Sequence, residues 1–185
     1  MNHNLSSTEE NYLKAIFKLS ESQEAVATNS IALLLETSAA SVTDMIKRLS
    51  EKEMIHYEKY KGVRLTDSGL KVATSLVRKH RLWETFLVDK LNFSWDEIHD
   101  IAEQMEHIQS EELIDRLDTF LGNPKFDPHG DPIPDREGKF AYVHQLLVSD
   151  IPVGTKAIVV GVKDHSSSFL QYLEKLGLTL GTEVE

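Results

Sequence analysis

The sequence predicts a mainly α fold: an N-terminal winged helix-turn-helix, a helical middle domain, and a small C-terminal β-rich module. Three observations carry this. Apolar residues recur at helical spacing through most of the first 121 residues. A pair of β-rich segments around Lys61-Gly62 interrupts that pattern, and from Leu146 the chain changes to short apolar runs such as Ala157-Ile158-Val159-Val160.

Ser7-x-x-Glu10 reads as a capping box opening a helix of about residues 8–20, with Tyr12, Leu13, Ile16, Phe17 and Leu19 at helical spacing. Residues 30–35 predict a short second helix, Glu36-Thr37-Ser38 a turn, and residues 39–52 a third helix with Val42, Met45, Ile46 and Leu49 facing inward. Two helices joined by a tight turn suit a helix-turn-helix. Residues 55–60 and 63–66 then form a predicted hairpin, the wing. A long helical pattern runs from Thr66 to about Leu91. Ser94-x-x-Glu97 is a second capping box, and Ile98, Ile101, Ala102, Met105 and Ile108 continue a helix behind it. A further short helix covers about residues 111–121. Residues 122–138 hold four of the five prolines and read as a loop or linker. The tail predicts a strand at 157–162, a helix at 169–176 and a strand at 178–185. The expected domains are residues 1–72, 73–140 and 146–185.

Composition narrows the function classes. The chain has 185 residues, of which 41% are hydrophobic, enough for one or two modest cores. No apolar run approaches the roughly 20 residues that span a bilayer, and the N-terminus lacks a secretion signal, so a cytoplasmic protein without a membrane partner is expected. There is no cysteine, which excludes disulfides, thiolate metal sites and Cys nucleophiles. The net charge of −10 opposes nucleic-acid binding, but its distribution softens that objection. Residues 1–75 carry 9 Lys/Arg against 10 Asp/Glu, whereas residues 76–185 carry 11 against 20. The acidic half is suited to attract cations.

Two sets of residues carry chemistry. The first lies in the predicted helix after Ser94. Taking His99 as zero, Glu103 falls at about 40°, Glu106 at about −20° and His107 at about 80° on the helical wheel. Two His and two Glu on one face can supply N and O ligands to one or two divalent ions. His80 and Glu84, spaced i, i+4 on the long helix, form a second pair. Spacing alone leaves a solvated polar face as the alternative. In the third helix, Ser38, Ala39, Ala40, Ser41 and Thr43 are small or hydroxylated and permit close approach to a major groove. Lys47, Arg48 and Lys52 follow, and Lys59, Lys61 and Arg64 decorate the wing, enough for phosphate contacts. Asp44 in that surface is unfavourable near phosphate but can accept a hydrogen bond from cytosine. The expected DNA contacts are Ser38, Ala40, Ser41, Thr43, Lys47, Arg48, Lys59 and Lys61. No zinc-protease motif, nucleophile elbow or phosphate loop is present, so an enzyme with a small organic substrate is not expected.

Thr8-Glu9-Glu10-Asn11-Tyr12-Leu13, Ser38-x-x-Ser41-Val42-Thr43, Arg78-Lys79-His80-Arg81-Leu82-x-Glu84 and His99-Asp100-x-Ala102-Glu103-x-x-Glu106-His107 follow in order. Together they resemble the iron-dependent repressor family, which includes the diphtheria toxin repressor and the manganese transport regulators. The resemblance covers essentially the whole chain. It implies a primary metal site at Asn11, Glu103, Glu106 and His107, and an adjoining site at His80, Glu84 and His99. Members with Glu at the position of Glu103 resemble manganese sensors, and an all-O/N site suits Mn2+. Two departures stand out: Asn11 replaces the family's usual Asp or Met, and Lys14 stands where the manganese regulators carry Glu. The resemblance also implies that the last domain is SH3-like (FeoA-like) and, against the family's length, incomplete in this sequence. In some members it adds ligands to the second site. Here Ser166 and Phe169 stand near those positions, with Asp164 and His165 as possible substitutes. His129 reads as part of a structural linker.

The expected function is therefore repression: a homodimer that binds palindromic operator DNA when one or two Mn2+ or Fe2+ ions per chain are bound, controlling metal uptake genes. A bound ion joining Asn11 to the later ligands would fix each DNA-binding domain and select the half-site spacing that fits DNA. Residues 76–91 and 98–121 would pair across the two-fold axis. The rival readings are a helix-turn-helix regulator responding to an organic ligand and a metal-dependent hydrolase.

Overall fold

A computed structural model describes residues 5–21, 25–141 and 145–185. The chain forms two compact units, one reaching to Val77 and including Arg136–Gly138, the other comprising Arg78–Asp135 and Lys139–Glu185.

The first unit begins with α1 (Ser7–Ser20). Its capping box uses Ser6 and Glu9, one residue earlier than Ser7 and Glu10. Both registers satisfy the motif. The observed one is favoured because Glu9 at the third helical position also meets Lys52 Nζ at 2.7 Å, while Leu5 packs on the core. Next, α2 (Thr28–Leu34) starts two residues ahead of the predicted helix, and Ser38 caps α3 (Ala39–Glu51) by accepting the Ser41 N–H. The inward stripe of α3 is Val42, Met45, Ile46 and Leu49, as the spacing predicts. Strands β1 (Ile55–Glu58) and β2 (Gly62–Leu65) pair antiparallel, Ile55 opposite Leu65 and Glu58 opposite Gly62. Leu13, Ile16, Ile31, Val42, Leu49, Met54 and Val63 are fully buried in one core that joins the three helices to the wing.

Helix α4 (Asp67–Leu91) opens with Thr66, whose Oγ1 accepts the Gly69 N–H, and runs 25 residues. In the second unit its later half supports α5 (His99–Met105) and α6 (Glu111–Phe120) around Leu82, Trp83, Leu87, Ile98, Ala102, Ile114 and Leu117. Arg78 bonds Asp118 at 2.7 Å, and Lys79 reaches Glu111 at 2.9 Å. The predicted helix after Ser94 is shorter than expected. Ser94 and Glu97 do form the side-chain bond of a capping box, but around a turn; regular helix occupies only His99–Met105. At its other end Glu106, the C-cap residue, is fully buried beside His80.

Residues 122–138 carry no helix, apart from one isolated bridge between Phe126 and Pro132, matching the proline reading. The C-terminal module has less strand than predicted. Strand β3 (Ala157–Ile158) pairs antiparallel with β4 (Glu183–Val184), and α7 (Ser167–Lys175) lies between them in sequence. Among the described residues, no helix is long and apolar enough to cross a membrane.

Candidate metal centre and nucleic-acid interface

Helix α4 places His80 and Glu84 one turn apart, both buried. His80 Nδ1 lies 2.6 Å from Glu106 Oε2, and His80 Nε2 lies 3.0 Å from Glu84 Oε1 and 3.2 Å from His99 Nδ1. His80, Glu84 and His99 each offer a ligand atom within 4.8 Å of the others, so the structure brings together the three residues expected at the adjoining site. Of the expected primary set, Glu106 is fully buried, with Oε1 3.8 Å from His107 Nε2. Glu103 sits 3.7 Å from His99 through Oε1, at the partly exposed edge. Glu106 still has helical backbone angles and its N–H donates to the Ala102 carbonyl at 2.9 Å, so the wheel describes His99, Glu103 and Glu106, and the regular helix ends before His107. Asn11 belongs to the first unit, where its buried Oδ1 has no hydrogen-bond partner among the described residues.

A second cluster was missed by sequence reasoning. Glu84, Asp127 and His129, all buried, also offer ligand atoms within 4.8 Å of one another. The linker reading of His129 therefore gives way to a more specific placement. Asp127 Oδ1 accepts the N–H groups of His129 and Asp131 at 2.8 and 3.0 Å, closing a tight turn that aims His129 inward. His129 Nε2 donates to the Trp95 carbonyl at 2.8 Å, which leaves Nδ1 as the lone-pair nitrogen of the neutral ring. That Nδ1 is buried without a hydrogen bond, 3.8 Å from Glu84 Oε2. An orphaned imidazole lone pair beside two carboxylates is the donor set of a hard-to-borderline divalent ion, so the residues fit a metal. The signal in the sequence was two ligand-type residues, Asp127 and His129, two apart in a Pro/Gly-rich stretch where irregular backbone can turn both to one point.

The charges are tightly coupled. Burial raises the affinity of Glu84 for its proton, but His129, His80 and His99 outweigh it and hold the carboxyl well below the usual range. Burial, reinforced by the charges of Glu84 and Asp131, pushes Asp127 up to about 7 despite Arg81. Arg81 stands over this turn, with Nε 3.5 Å from Asp127 Oδ2, one terminal amine 3.0 Å from Asp131, and the other donating to the Pro132 carbonyl at 2.6 Å. For His129, burial disfavours the cation but Glu84 and the Trp95 carbonyl prevail, so its pKa is raised.

The C-terminal module meets this turn. The His165 ring stacks on His129 with centroids 4.6 Å apart, and Val162 N–H donates to the His129 carbonyl at 2.9 Å. Gly130 has φ +87°, and a Cβ there would lie 2.1 Å from the Val160 carbonyl oxygen. Asp164 is exposed, and its Oδ1 accepts the Ser166 N–H.

On the first unit, α3 presents Ala40, Ser41, Thr43, Lys47 and Arg48 to solvent, with Ser38 at its cap. The Ser38 and Ser41 hydroxyls lie 2.9 Å apart, and Thr43 Oγ1 donates to the Ala39 carbonyl. On the wing, Lys59 lies over the Tyr60 ring and Lys61 pairs with Glu58 at 2.6 Å, both at the exposed tip.

A winged helix-turn-helix in a chain that also buries clustered His and carboxylate ligands defines the class of metal-responsive DNA-binding regulators. Profiles of known families match along its length: "Iron dependent repressor, N-terminal DNA binding domain" over residues 4–63, "Iron dependent repressor, metal binding and dimerisation domain" over 66–135, and "FeoA domain" over 146–185. The iron-dependent repressor IdeR of Mycobacterium leprae is 31% identical over 165 residues, covering 85% of this chain and 72% of that protein. The diphtheria toxin repressor of Corynebacterium efficiens is 32% identical over 192 residues, covering 96% and 82%. A solved structure of a manganese-dependent transcriptional repressor in complex with manganese superimposes with a TM-score of 0.84 at 37% identity, over 95% of this chain and 81% of the other. The chain belongs to the iron-dependent repressor family.

Proposed function

We propose that this chain is a metal-dependent transcriptional repressor that binds palindromic operator DNA as a homodimer when Mn2+ or Fe2+ is bound, and so controls metal uptake genes in the cytoplasm. The observation that carries the reading is the assembly of His80, Glu84 and His99 into one buried-edge ligand cluster in a chain that also carries a winged helix-turn-helix. Glu106 and His107, with Glu103 and Asn11, are the remaining ligands of this reading, and Asp127 and His129 extend it through Glu84. A divalent ion held by these groups supplies positive charge that offsets the buried carboxylates. The chain has no thiolate, and an all-O/N set with several carboxylates suits Mn2+ or Fe2+.

The chain's own residues do the rest. His80 orients Glu84 and Glu106 through its two ring nitrogens, and Trp95 fixes the His129 tautomer. Ser38, Ala40, Ser41 and Thr43 face base edges, and Lys47, Arg48, Lys59 and Lys61 contact phosphates. Leu91, Phe93, Leu113 and Phe120 are exposed apolar residues on or beside α4 and α6 and support pairing of two copies there. The role is regulatory rather than catalytic.

The test is binding to a palindromic operator, selected from random DNA at fixed salt, with Mn2+, Fe2+, Zn2+ or EDTA present. Mn2+ or Fe2+ should tighten binding at least about tenfold, and the Glu106→Ala/His107→Ala variant should lose that gain. Affinity indifferent to both metal and mutation would overturn the reading and redirect the search to an organic effector.

A further inference from the structure

The recognition helix carries an acid where a base-reading side chain belongs. Successive residues of an α-helix turn by about 100°. With Asp44 at zero, the core residues Val42, Met45, Ile46 and Leu49 fall between about 100° and about 200°, and all four are buried. On the opposite side, Ala40 falls at about −40° and Lys47 at about −60°, while Arg48 falls at about 40° and Ser41 at about 60°. Asp44 is thus the outermost residue of α3, opposite the core stripe, with Ala40 one turn before it and two cations one turn after. Its side chain is 68% exposed, and Lys47, 3.5 Å away and 67% exposed, is its one charged partner among the described residues. The neighbouring hydroxyls are already engaged: Ser38 with Ser41, and Thr43 with the Ala39 carbonyl. The carboxylate, held only by that loose ion pair, is the charged acceptor open to a ligand at the centre of this surface.

The second helix of a helix-turn-helix lies in the major groove with its early residues toward base edges, and Asp44 is the sixth residue of α3. An ionised carboxylate only accepts hydrogen bonds. In the major groove guanine and thymine offer acceptors, which repel it, while adenine sets its amino donor beside the acceptor N7. Cytosine alone offers a donor, its N4 amino group, with no acceptor on its own edge. The cost of bringing a negative charge near phosphates falls on Lys47 and Arg48 to offset, since both flank Asp44 and both are exposed.

We propose that Asp44 is a specificity-determining residue that selects cytosine at one position of each operator half-site by accepting a hydrogen bond from its N4 amino group. The inference rests on the DNA-binding reading above and adds which base is read and by what atom. The weak pair with Lys47 is exchanged on binding, Lys47 going to a phosphate and Asp44 to the base.

The experiment selects binding sites from random duplex DNA in saturating Mn2+ for the full-length wild type, Asp44→Ala and Asp44→Asn. The wild type should enrich cytosine at one position per half-site, by about ten- to hundredfold over guanine or thymine. Asp44→Ala should flatten that position alone. Asp44→Asn, whose amide pairs with adenine N6 and N7, should move the preference there to adenine. Each variant's helix content, read by circular dichroism, should match the wild type because the residue is exposed. Identical base preferences in all three proteins would overturn the proposal while leaving the regulator reading intact. A wild type that selects no DNA in Mn2+ would overturn both.

Discussion

Asp127 offers a sharp test of the electrostatics around Glu84. Its carboxyl is pushed up from 3.8 to about 7, so in the metal-free protein its ionisation works against folding. The group has a raised folded pKa and is an acid, so the folded state binds more protons than the unfolded state between those two values. Stability is therefore highest at low pH and is lost as pH rises through that window. Such a rise corresponds to about 4 kcal/mol once the group is fully ionised, and roughly 2 to 3 kcal/mol of that is lost between pH 5 and pH 8. Asp127→Asn keeps an oxygen to accept the His129 and Asp131 N–H groups and removes the charge. Urea unfolding in EDTA, followed by tryptophan fluorescence, reports on the second unit alone because Trp83 and Trp95, the chain's two tryptophans, both lie there. The variant should be more stable than the wild type at pH 8, and the advantage should shrink by about 2 kcal/mol at pH 5. Asp127 also helps raise His129, so the difference between the proteins reads the Asp127 charge together with its effect on that ring. A variant equally destabilised at both pH values would refute the argument and show that the charge–Arg81 contact is net favourable.

Glu84→Gln should weaken Mn2+ binding at least about tenfold by calorimetry, because Glu84 belongs to both ligand clusters; unaltered stoichiometry and affinity would exclude it as a ligand. Gly130→Ala should destabilise the second unit by several kcal/mol, of order the strain of a left-handed non-glycine residue plus a backbone clash. The reason is that its new Cβ would fall 2.1 Å from the Val160 oxygen at φ +87°. A Trp-monitored melting temperature equal to the wild type's would contradict that.

Much of this architecture was legible in the sequence, because α1, α3 and α4 bury stripes whose 3.6-residue period dominates their composition. Val42, Met45, Ile46 and Leu49 are such a stripe. The candidate pair His80 and Glu84 on α4 was legible for the same reason: i, i+4 spacing on a helix fixes direction. Where the reading failed, tertiary forces prevailed over local pattern. The capping box shifted to Ser6 because Glu9 found Lys52. Helix α5 begins only at His99, because the capping box at Ser94 and Glu97 closes a turn there instead of starting regular helix. Asp127 and His129 could not be placed by any period, since a proline-rich segment has none, and their meeting with Glu84 depends on residues more than 40 positions apart in the chain.

The turn at Asp127–Asp131 bears on how this family can be recombined. Its carbonyl at His129 receives Val162, its ring edge meets the Trp95 carbonyl, and Asp96 beside Trp95 accepts hydrogen bonds from Ser167 and Gln171. The FeoA-like segment therefore shares backbone partners with two loops that lie outside it. A chimera joined in the stretch between the two keeps the main-chain carbonyls but must also match the Asp96 carboxylate that Gln171 donates to and the shape of the 127–131 turn, so the module travels between relatives best together with residues 95–96 and 127–132. What looks in sequence like an exchangeable tail is heritable as a three-piece set.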